Sequence, residues 1–484
     1  VGPQGYDVVI VGGGSAGCVV ARRLAERGDR SVLLLEAGPD LRGDISPALR
    51  DGWNNPMGGE WVHDWGYATE PAADGSTQKL RRGRLLGGTS WLTRFAVRGA
   101  AADFDAWAAR GNPGWSYAEV LPSFRRLEAD AEFGDRPWHG DAGPITIQRY
   151  PNLQRAPIHE AVVEALRDHG FPAIEDHNAP DAIGVGPMPM STRDGRRLTT
   201  LDAYLPEPRP TTLEIRVDAP VATVAIAGGR AHGVRLMDGT EIAARRVILA
   251  AGVYGSPPIL LRSGVGPAGD LRALGIDVAA DLPGVGANLA DHPGVDLDSG
   301  WRGDGATAPI LHSIATFRSS GQPASAAPDL MFWNVDPAGS EATFSLDPIL
   351  LKPESRGWVR LRSADPADPP RIQLPSVQAA WDVERLAEGY RLGLALANHP
   401  AIRERRRVLE GAYSNPHVVG TCRMGPTPGD GDVVDAAGSV HGVAALSVID
   451  ASVIPDAPAG FPHVITIMLA EHLSRRLAAM LGTS

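Results

Sequence analysis

The stretch YDVVIVGGGSAGCVVARRLAERGDRSVLLLEAG, residues 6–38, runs from an apolar hexapeptide through three consecutive glycines into an amphipathic segment and a second apolar run. Its periodicity makes the ends strands and the middle a helix, the start of a parallel βαβ unit. Gly12, Gly14 and Gly17 hold the G-x-G-x-x-G spacing. The first glycine makes a tight turn, the second leaves backbone bare enough for a pyrophosphate, and the third lets helix and strand pack closely. The helix N-terminus then offers its free N–H groups to the phosphates. Glu36 ends the second strand, where an acid suits a ribose 2′-hydroxyl and repels a 2′-phosphate. Dinucleotide binding follows, with NADP disfavoured and both FAD and NAD still open.

The rest of the chain bounds this reading. With 484 residues, 43% of them hydrophobic, it is long enough for more than one domain with substantial cores. A net charge of -11 without long blocks of one sign argues against a nucleic-acid partner. Cys18 and Cys422 lie far apart in glycine-rich segments, so neither a disulfide framework nor a metal site is expected. No run reaches the length of a membrane span and no secretory leader pattern is visible. The expectation is a cytoplasmic protein with no membrane partner.

Three more glycine loops decide which dinucleotide: GRLLGGTSWL (83–92), AAGVYGSPPILLRSGVG (250–266) and LPGVGANLADHP (282–293). A simple NAD enzyme has little use for so many, whereas a large flavin is contacted by several parts of the chain. With KPESRGWVRLRSADPADPPRI (352–372), HVVGTCRMG (417–425) and LSVIDASVIP (446–455) following in order, the sequence resembles the glucose-methanol-choline (GMC) family of FAD-dependent oxidoreductases over nearly its whole length. The resemblance implies a mixed α/β fold with a Rossmann-like FAD-binding domain, discontinuous over 1–150, 185–293 and 412–484. It also implies a substrate-binding domain over 151–184 and 294–411, with an antiparallel sheet flanked by helices. Gly12, Gly14, Ser15, Ala16 and Gly17 would hold the pyrophosphate and Glu36 the ribose. Gly87, Gly88, Thr89 and Ser90 would run beside the flavin, and Val221 would meet the adenine. Asp450, Ala451, His463 and Val464 would lie near the ring end. Without the family, Thr89, Ser90 and Asp450 read as turn and cap residues.

The second loop departs from the family pattern. Thr93 stands where an Asn or His is common, and it has less reach and one polar atom. Leu92 occupies the place where some members carry a histidine covalently joined to the flavin, so the FAD is expected to be non-covalent. Trp91 replaces a small residue and either narrows the active site or fills core volume.

Oxidising an alcohol with a flavin requires a base for the hydroxyl proton while hydride leaves carbon for N5. Histidine suits that task near neutral pH. Of thirteen histidines, His63, His139, His159, His177, His232, His399 and His472 fall in polar stretches that look exposed. His292 and His441 lie beside turns, where bonding to backbone is the expected job, and His312 borders the substrate region. His417, in NPHVVGTCRMG, matches the family's catalytic histidine, and His463, in AGFPHVITIMLAEH, matches its partner. The two are expected to share one proton, since close imidazolium rings repel.

Residues 294–411 show short alternating runs such as PDLMFWNV, an antiparallel pattern. Phe332 and Trp333 point to opposite faces of one strand, so only one can line the pocket. Asn415 and Phe461, which flank the histidines, are further pocket candidates, and the segment SSGQPASAAPD (319–329) reads as a gating loop. No charged residue is placed in the pocket, so a small neutral alcohol, aromatic ones included, is the expected substrate. Oxygen or another acceptor would reoxidise the flavin. The alternative is a non-redox, lyase-like protein on the same fold.

Overall fold

The computed structural model describes residues 5–52, 63–72, 75–150, 157–302, 313–335, 343–375, 377–403, 409–414 and 416–481. Asn415 and His312 lie outside these residues. Tyr6–Val11, Ser15–Ala25 and Val32–Leu35 form the expected strand, helix and strand. Tyr6–Val11 is central: it pairs in parallel with Val32–Leu35 on one side and Glu241–Leu249 on the other. Leu213–Arg216 and Leu446–Val448 extend the parallel sheet at its two ends, and the hairpin of Val221–Ala227 and Arg230–Leu236 is attached antiparallel. Strands buried on both faces read as continuous Val, Ile and Leu runs, as VVIV and VLLL do here.

The helix Ser15–Ala25 packs against the C-terminal helix Pro462–Leu481. Their junction contains a charge: Glu471, fully buried, accepts from Arg23 Nε and Nη2 (2.9 and 2.7 Å) and from the Tyr204 hydroxyl (2.8 Å). This ties the helix that starts at Ser15 to the helix that presents His463.

A second sheet of six strands is antiparallel throughout, in the order Leu409–Ser414, Pro293–Arg302, Thr343–Leu350, Leu330–Val335, Ser313–Phe317, Gly184–Pro187. The helix Ala380–Ala397 covers one face. It approaches closely because it has no side chain at Gly393, where a β-carbon would meet Leu297 Cδ1 at 2.5 Å. Strand alternation puts Leu330 and Phe332 on that covered face and Met331 and Trp333 on the other.

These pairings correct several expectations. Gly184–Pro187 and Leu409–Ser414 belong to the six-stranded sheet, so the expected boundaries at 185 and 412 cut through strands of one sheet. Trp358–Arg360 forms a separate ribbon with Arg371–Gln373. In the 319–329 loop Asp329 closes the base, accepting from the Ser319 N–H and hydroxyl (2.7 and 2.5 Å), and Arg318 Nε reaches the Ala326 carbonyl at 2.6 Å.

A third sheet joins Glu128–Asp130, Ile145–Arg149, Pro189–Arg193 and Arg196–Arg197. Beside it His139, expected at the surface, is fully buried. Its ring nitrogens meet Glu128 (2.8 Å) and Asp176 (2.9 Å), while Arg98 pairs with Glu128 and Arg149 with Asp130 and Asp176. Glu128, Asp130 and His139 lie close enough together to face one cation, but the two guanidinium groups already neutralise them, which makes this an ion-pair knot and not a metal centre.

Two outcomes follow. Replacing Glu471 by Leu strands the Tyr204 hydroxyl and removes the Arg23 contact, and should cost about 3 kcal/mol or more, read as a lower midpoint in urea unfolding. For His139, burial opposes the charge, but hydrogen bonds to Asp176 and Glu128 outweigh it and raise its pKa. A raised histidine contributes its stability fully below the unfolded value of about 6.5 and loses it as pH climbs through the folded value. The stability gap between wild type and His139→Gln should therefore be largest at about pH 6 and shrink toward about pH 9 in urea titrations.

Candidate active site

A cavity of about 910 Å³ runs from the edge of the parallel sheet to the face of the six-stranded one opposite its helix. That is at the upper end of the usual size for cofactor pockets, about 300–1,000 Å³. Its wall includes Gly12, Gly14, Ser15 and Ala16, with Glu36 and Val221 toward one end. Gly88, Thr89, Leu92 and Thr93 of the second loop, Asp450 and Ala451, and then Trp333, His417, Phe461 and His463 complete it.

The cofactor end is shaped by missing side chains. A β-carbon on Gly17 would lie 1.8 Å from the Gly12 carbonyl oxygen, so this glycine serves helix-to-strand contact and does not itself line the cavity. Gly88 has φ +52°, and a β-carbon there would approach Gly14 Cα at 2.8 Å; the two glycine loops thus meet face to face. Gly14, the residue before the helix, provides no side-chain cap, which leaves the first-turn N–H groups open toward the cavity. Buried Glu36 accepts from the N–H groups of Gly13 (2.8 Å) and Gly38 (2.9 Å). Burial nevertheless pushes its pKa up to about 7. An open helix N-terminus, an acid at the next strand end and a cavity of this size fit FAD.

Other expected residues sit behind the wall. Ser90 Oγ donates to the Gly87 carbonyl (2.6 Å) and accepts from Thr200 N–H (3.3 Å), as a turn residue does. Gly87, with φ +95°, makes the turn itself. Trp91 is fully buried, donates from Nε1 to the Leu86 carbonyl (2.8 Å) and stacks under Arg50, so it fills core volume and does not narrow the pocket. Phe332 is turned to the helix-covered core, which leaves the pocket to Trp333. The Val464 side chain also enters the core. Asp450 does two jobs: it lies on the cavity and caps a turn, accepting from Gly252 N–H (2.9 Å), the Ser256 hydroxyl (2.5 Å) and Ser452 N–H (2.8 Å).

At the other end the histidines are placed by a carboxylate. One oxygen of Asp291 accepts the main-chain N–H groups of both His292 (2.8 Å) and His417 (2.9 Å). The rings then meet, Nδ1 to Nδ1, at 3.3 Å, while His292 Nε2 lies 3.0 Å from the Pro458 carbonyl oxygen. His417 is thus in contact with His292, not with His463 as expected. His463 contacts Ser15 Oγ through Nδ1 at 3.4 Å, and its buried Nε2 meets no partner among the described residues. Burial lowers all three pKa values: His292 to about 3, helped by Lys352; His463 to about 4, helped by Arg197; and His417 well below its usual value, helped by His292 and Arg82. All three rings are neutral at pH 7.

His292 is the residue that sequence reasoning missed: its backbone bond is real, but its other nitrogen faces His417. The remaining histidines lie elsewhere, and His159, His177 and His472 are buried, contrary to their polar neighbours in sequence. Charged groups also line the cavity, where none was expected: the carboxylates Asp296, Asp347 and Asp368, and arginines that include Arg82. Asp347 accepts from Leu297 N–H (3.1 Å) and the Ser345 hydroxyl (3.2 Å), so it is tied into the sheet.

Comparison with known proteins agrees with this geometry. Residues 6–294 match the N-terminal and residues 353–470 the C-terminal model of GMC oxidoreductases. The chain is 35% identical to 5-(hydroxymethyl)furfural oxidase of Methylovorus sp. (strain MP688), covering 97% of this chain and 98% of that protein. It is 34% identical to an oxygen-dependent choline dehydrogenase of Ectopseudomonas mendocina (strain ymp), over 98% and 94%. The solved structure of pyridoxine 4-oxidase from Mesorbium loti superposes with a TM-score of 0.89 at 31% identity, covering 97% of this chain and 98% of that one. Matched by both family models and by relatives along its whole length, this chain belongs to the GMC oxidoreductase family and is an FAD-dependent oxidoreductase.

Proposed function

We propose that the protein oxidises the hydroxymethyl group of a small neutral alcohol carrying a flat ring, with His417 taking the hydroxyl proton and His463 holding the alcohol oxygen. Bound FAD supplies the acceptor for the hydride that leaves carbon, and oxygen or another acceptor then reoxidises it. The observation that carries this reading is a neutral imidazole on the wall of the cofactor cavity, set among aromatic rings. The His417 ring centroid is 4.9 Å from Phe461 and 5.8 Å from Trp333, and Phe95 packs edge-on to Trp333 at 5.1 Å. Such a wall suits a planar substrate, and one relative is named as an oxidase of 5-(hydroxymethyl)furfural, a ring that carries a hydroxymethyl group.

The residues around the FAD support its being held without a covalent bond, since Leu92 brings only methyl groups to the cavity and Thr93 one hydroxyl. Gly12, Gly14, Ser15 and Ala16 would hold the pyrophosphate, Glu36 the ribose, Val221 the adenine end, and Thr89, Thr93, Asp450 and Ala451 the region nearer the ring. Two buried free cysteines suit a reducing compartment such as the cytoplasm. Among the described residues no helix is long and apolar enough to cross a membrane.

Anaerobic mixing with a panel of alcohols should bleach the flavin absorbance; a yellow flavin that stays oxidised with every alcohol while the substrate is consumed would instead make the protein a lyase. Aerobic turnover with peroxide detection, repeated with an artificial acceptor, separates oxidase from dehydrogenase. His417→Ala should keep its FAD and lose flavin reduction by a factor of about 10² or more; reduction within threefold of wild type would remove His417 from the base role. A base must be unprotonated, and burial lowers the His417 pKa. The activity plateau should therefore extend on the acid side below the ordinary histidine range of about 6.5 before it falls. Trp333→Ala should raise KM for aromatic alcohols about three- to tenfold and change KM for aliphatic ones little.

A further inference from the structure

We propose that His292 is a positioning residue that fixes the tautomer of His417, holding its proton on Nδ1 and leaving the lone pair of Nε2 for the substrate hydroxyl. The inference rests on reading His417 as the base and adds how the protein keeps it in the competent form.

The donors and acceptors around the two rings fix the tautomer. Pro458 faces His292 Nε2 with a carbonyl oxygen, which can only accept, at 3.0 Å. His292 Nε2 therefore carries the hydrogen. A neutral ring with its hydrogen on Nε2 has a lone pair on Nδ1. That lone pair faces His417 Nδ1 at 3.3 Å, and the contact is a hydrogen bond only if His417 Nδ1 is the donor. Neutral His417 then has its lone pair on Nε2.

The opposite arrangement needs His292 as a cation donating from both nitrogens. The groups around it oppose that: the ring is fully buried and Lys352 lies on its Pro458 side, bonded to Asp103 (2.6 Å) and the Ala457 carbonyl (2.8 Å). Arg82 adds a positive charge on the His417 side. The carboxylate of Asp291 accepts the two main-chain N–H groups and so sets the separation of the rings through the backbone. The Leu351 carbonyl also faces the His292 ring.

When the alcohol reacts, its O–H bond breaks, an N–H bond forms at His417 Nε2, and the electron pair stays on oxygen. His417 Nδ1–H keeps donating to His292, so the resulting imidazolium retains an acceptor in a buried site. A base held on the wrong tautomer would present N–H to the substrate hydroxyl and take no proton.

The test is the ring ¹⁵N spectrum of histidine-labelled holoenzyme near pH 7.5, with His417 assigned by the signals lost in His417→Asn. The expected pattern is a protonated Nδ1 and a bare Nε2 on His417. His292→Gln can still donate to Pro458 and accept from His417, so it should keep that pattern and reduce flavin within about threefold of wild type. His292→Leu removes the acceptor; it should shift His417 toward the Nε2–H form and slow flavin reduction about tenfold or more, with KM changed less than kcat and FAD content unchanged. A wild-type spectrum with Nε2 protonated, or a Leu variant with the wild-type tautomer and rate, overturns the proposal. Should the Leu variant fail to fold, the wild-type and Gln spectra still decide. If the tautomer is as stated but His417→Ala still reduces flavin, it is the base assignment that fails, and the spectrum keeps the two apart.

Discussion

The contact between Gly17 and the carbonyl of Gly12 is the constraint from which the rest of the molecule is built. With no room for a single carbon between them, the helix Ser15–Ala25 must lie against the strand that precedes it, and its uncapped end must open at the strand's C-terminal edge. The second glycine loop then closes on the first at Gly88 and Gly14. Any side chain at these positions would separate segments whose closeness shapes the cofactor cavity. Main chain, not side chains, therefore makes most of the cofactor end, and main-chain N–H groups are what a pyrophosphate requires.

The histidine end of the cavity depends on the same helix at one remove. Glu471 binds Arg23 and Tyr204 inside the core, so the C-terminal helix is registered on Ser15–Ala25, and its first turn delivers His463 to Ser15. A buried ion pair of this kind is a weak source of net stability but a strong source of register, because any displacement leaves a charge without partners. His417 is placed by different means, through the shared carboxylate of Asp291. The two histidines thus reach one cavity along independent structural routes, which is why they share a wall without touching through a hydrogen bond.

Much of this was legible in the sequence, for a physical reason. The βαβ unit, the glycine loops and the acid at Glu36 are local patterns whose spacing encodes their geometry. Strand alternation likewise established that only one of Phe332 and Trp333 could face the pocket, though not which. What was not legible depends on contacts between distant segments. For Trp91 the sequence left a pocket place and a core place open, and the helical turn there carries it to the core side beneath Arg50. His139 and His472 looked exposed because their neighbours in sequence are polar, yet His139 is enclosed by carboxylates contributed from two separate segments, Glu128 and Asp130 on one and Asp176 on the other. His292 was assigned a backbone bond, correctly, and the second nitrogen could not be read because its partner is 125 residues away. The boundary at 185 divided the strand Gly184–Pro187, since nothing in the four residues GVGP announces which sheet they will join.

The three neutral imidazoles also say what kind of proton chemistry the cavity can perform. Each is pushed toward neutrality chiefly by burial, and His417 also by His292 and Arg82. A second proton placed on the adjacent His292 and His417 rings would meet strong repulsion in a poorly solvated space, so this pair takes up one proton at a time. A site that already held that proton could not accept another from an alcohol. Burial keeps the resting pair empty of charge, and the hydrogen bond between the rings gives the incoming charge one place to settle. On the proposed reading of His417 as the base, its lowered pKa serves that role: a more basic ring would attract a proton more strongly but would spend more of its time already occupied.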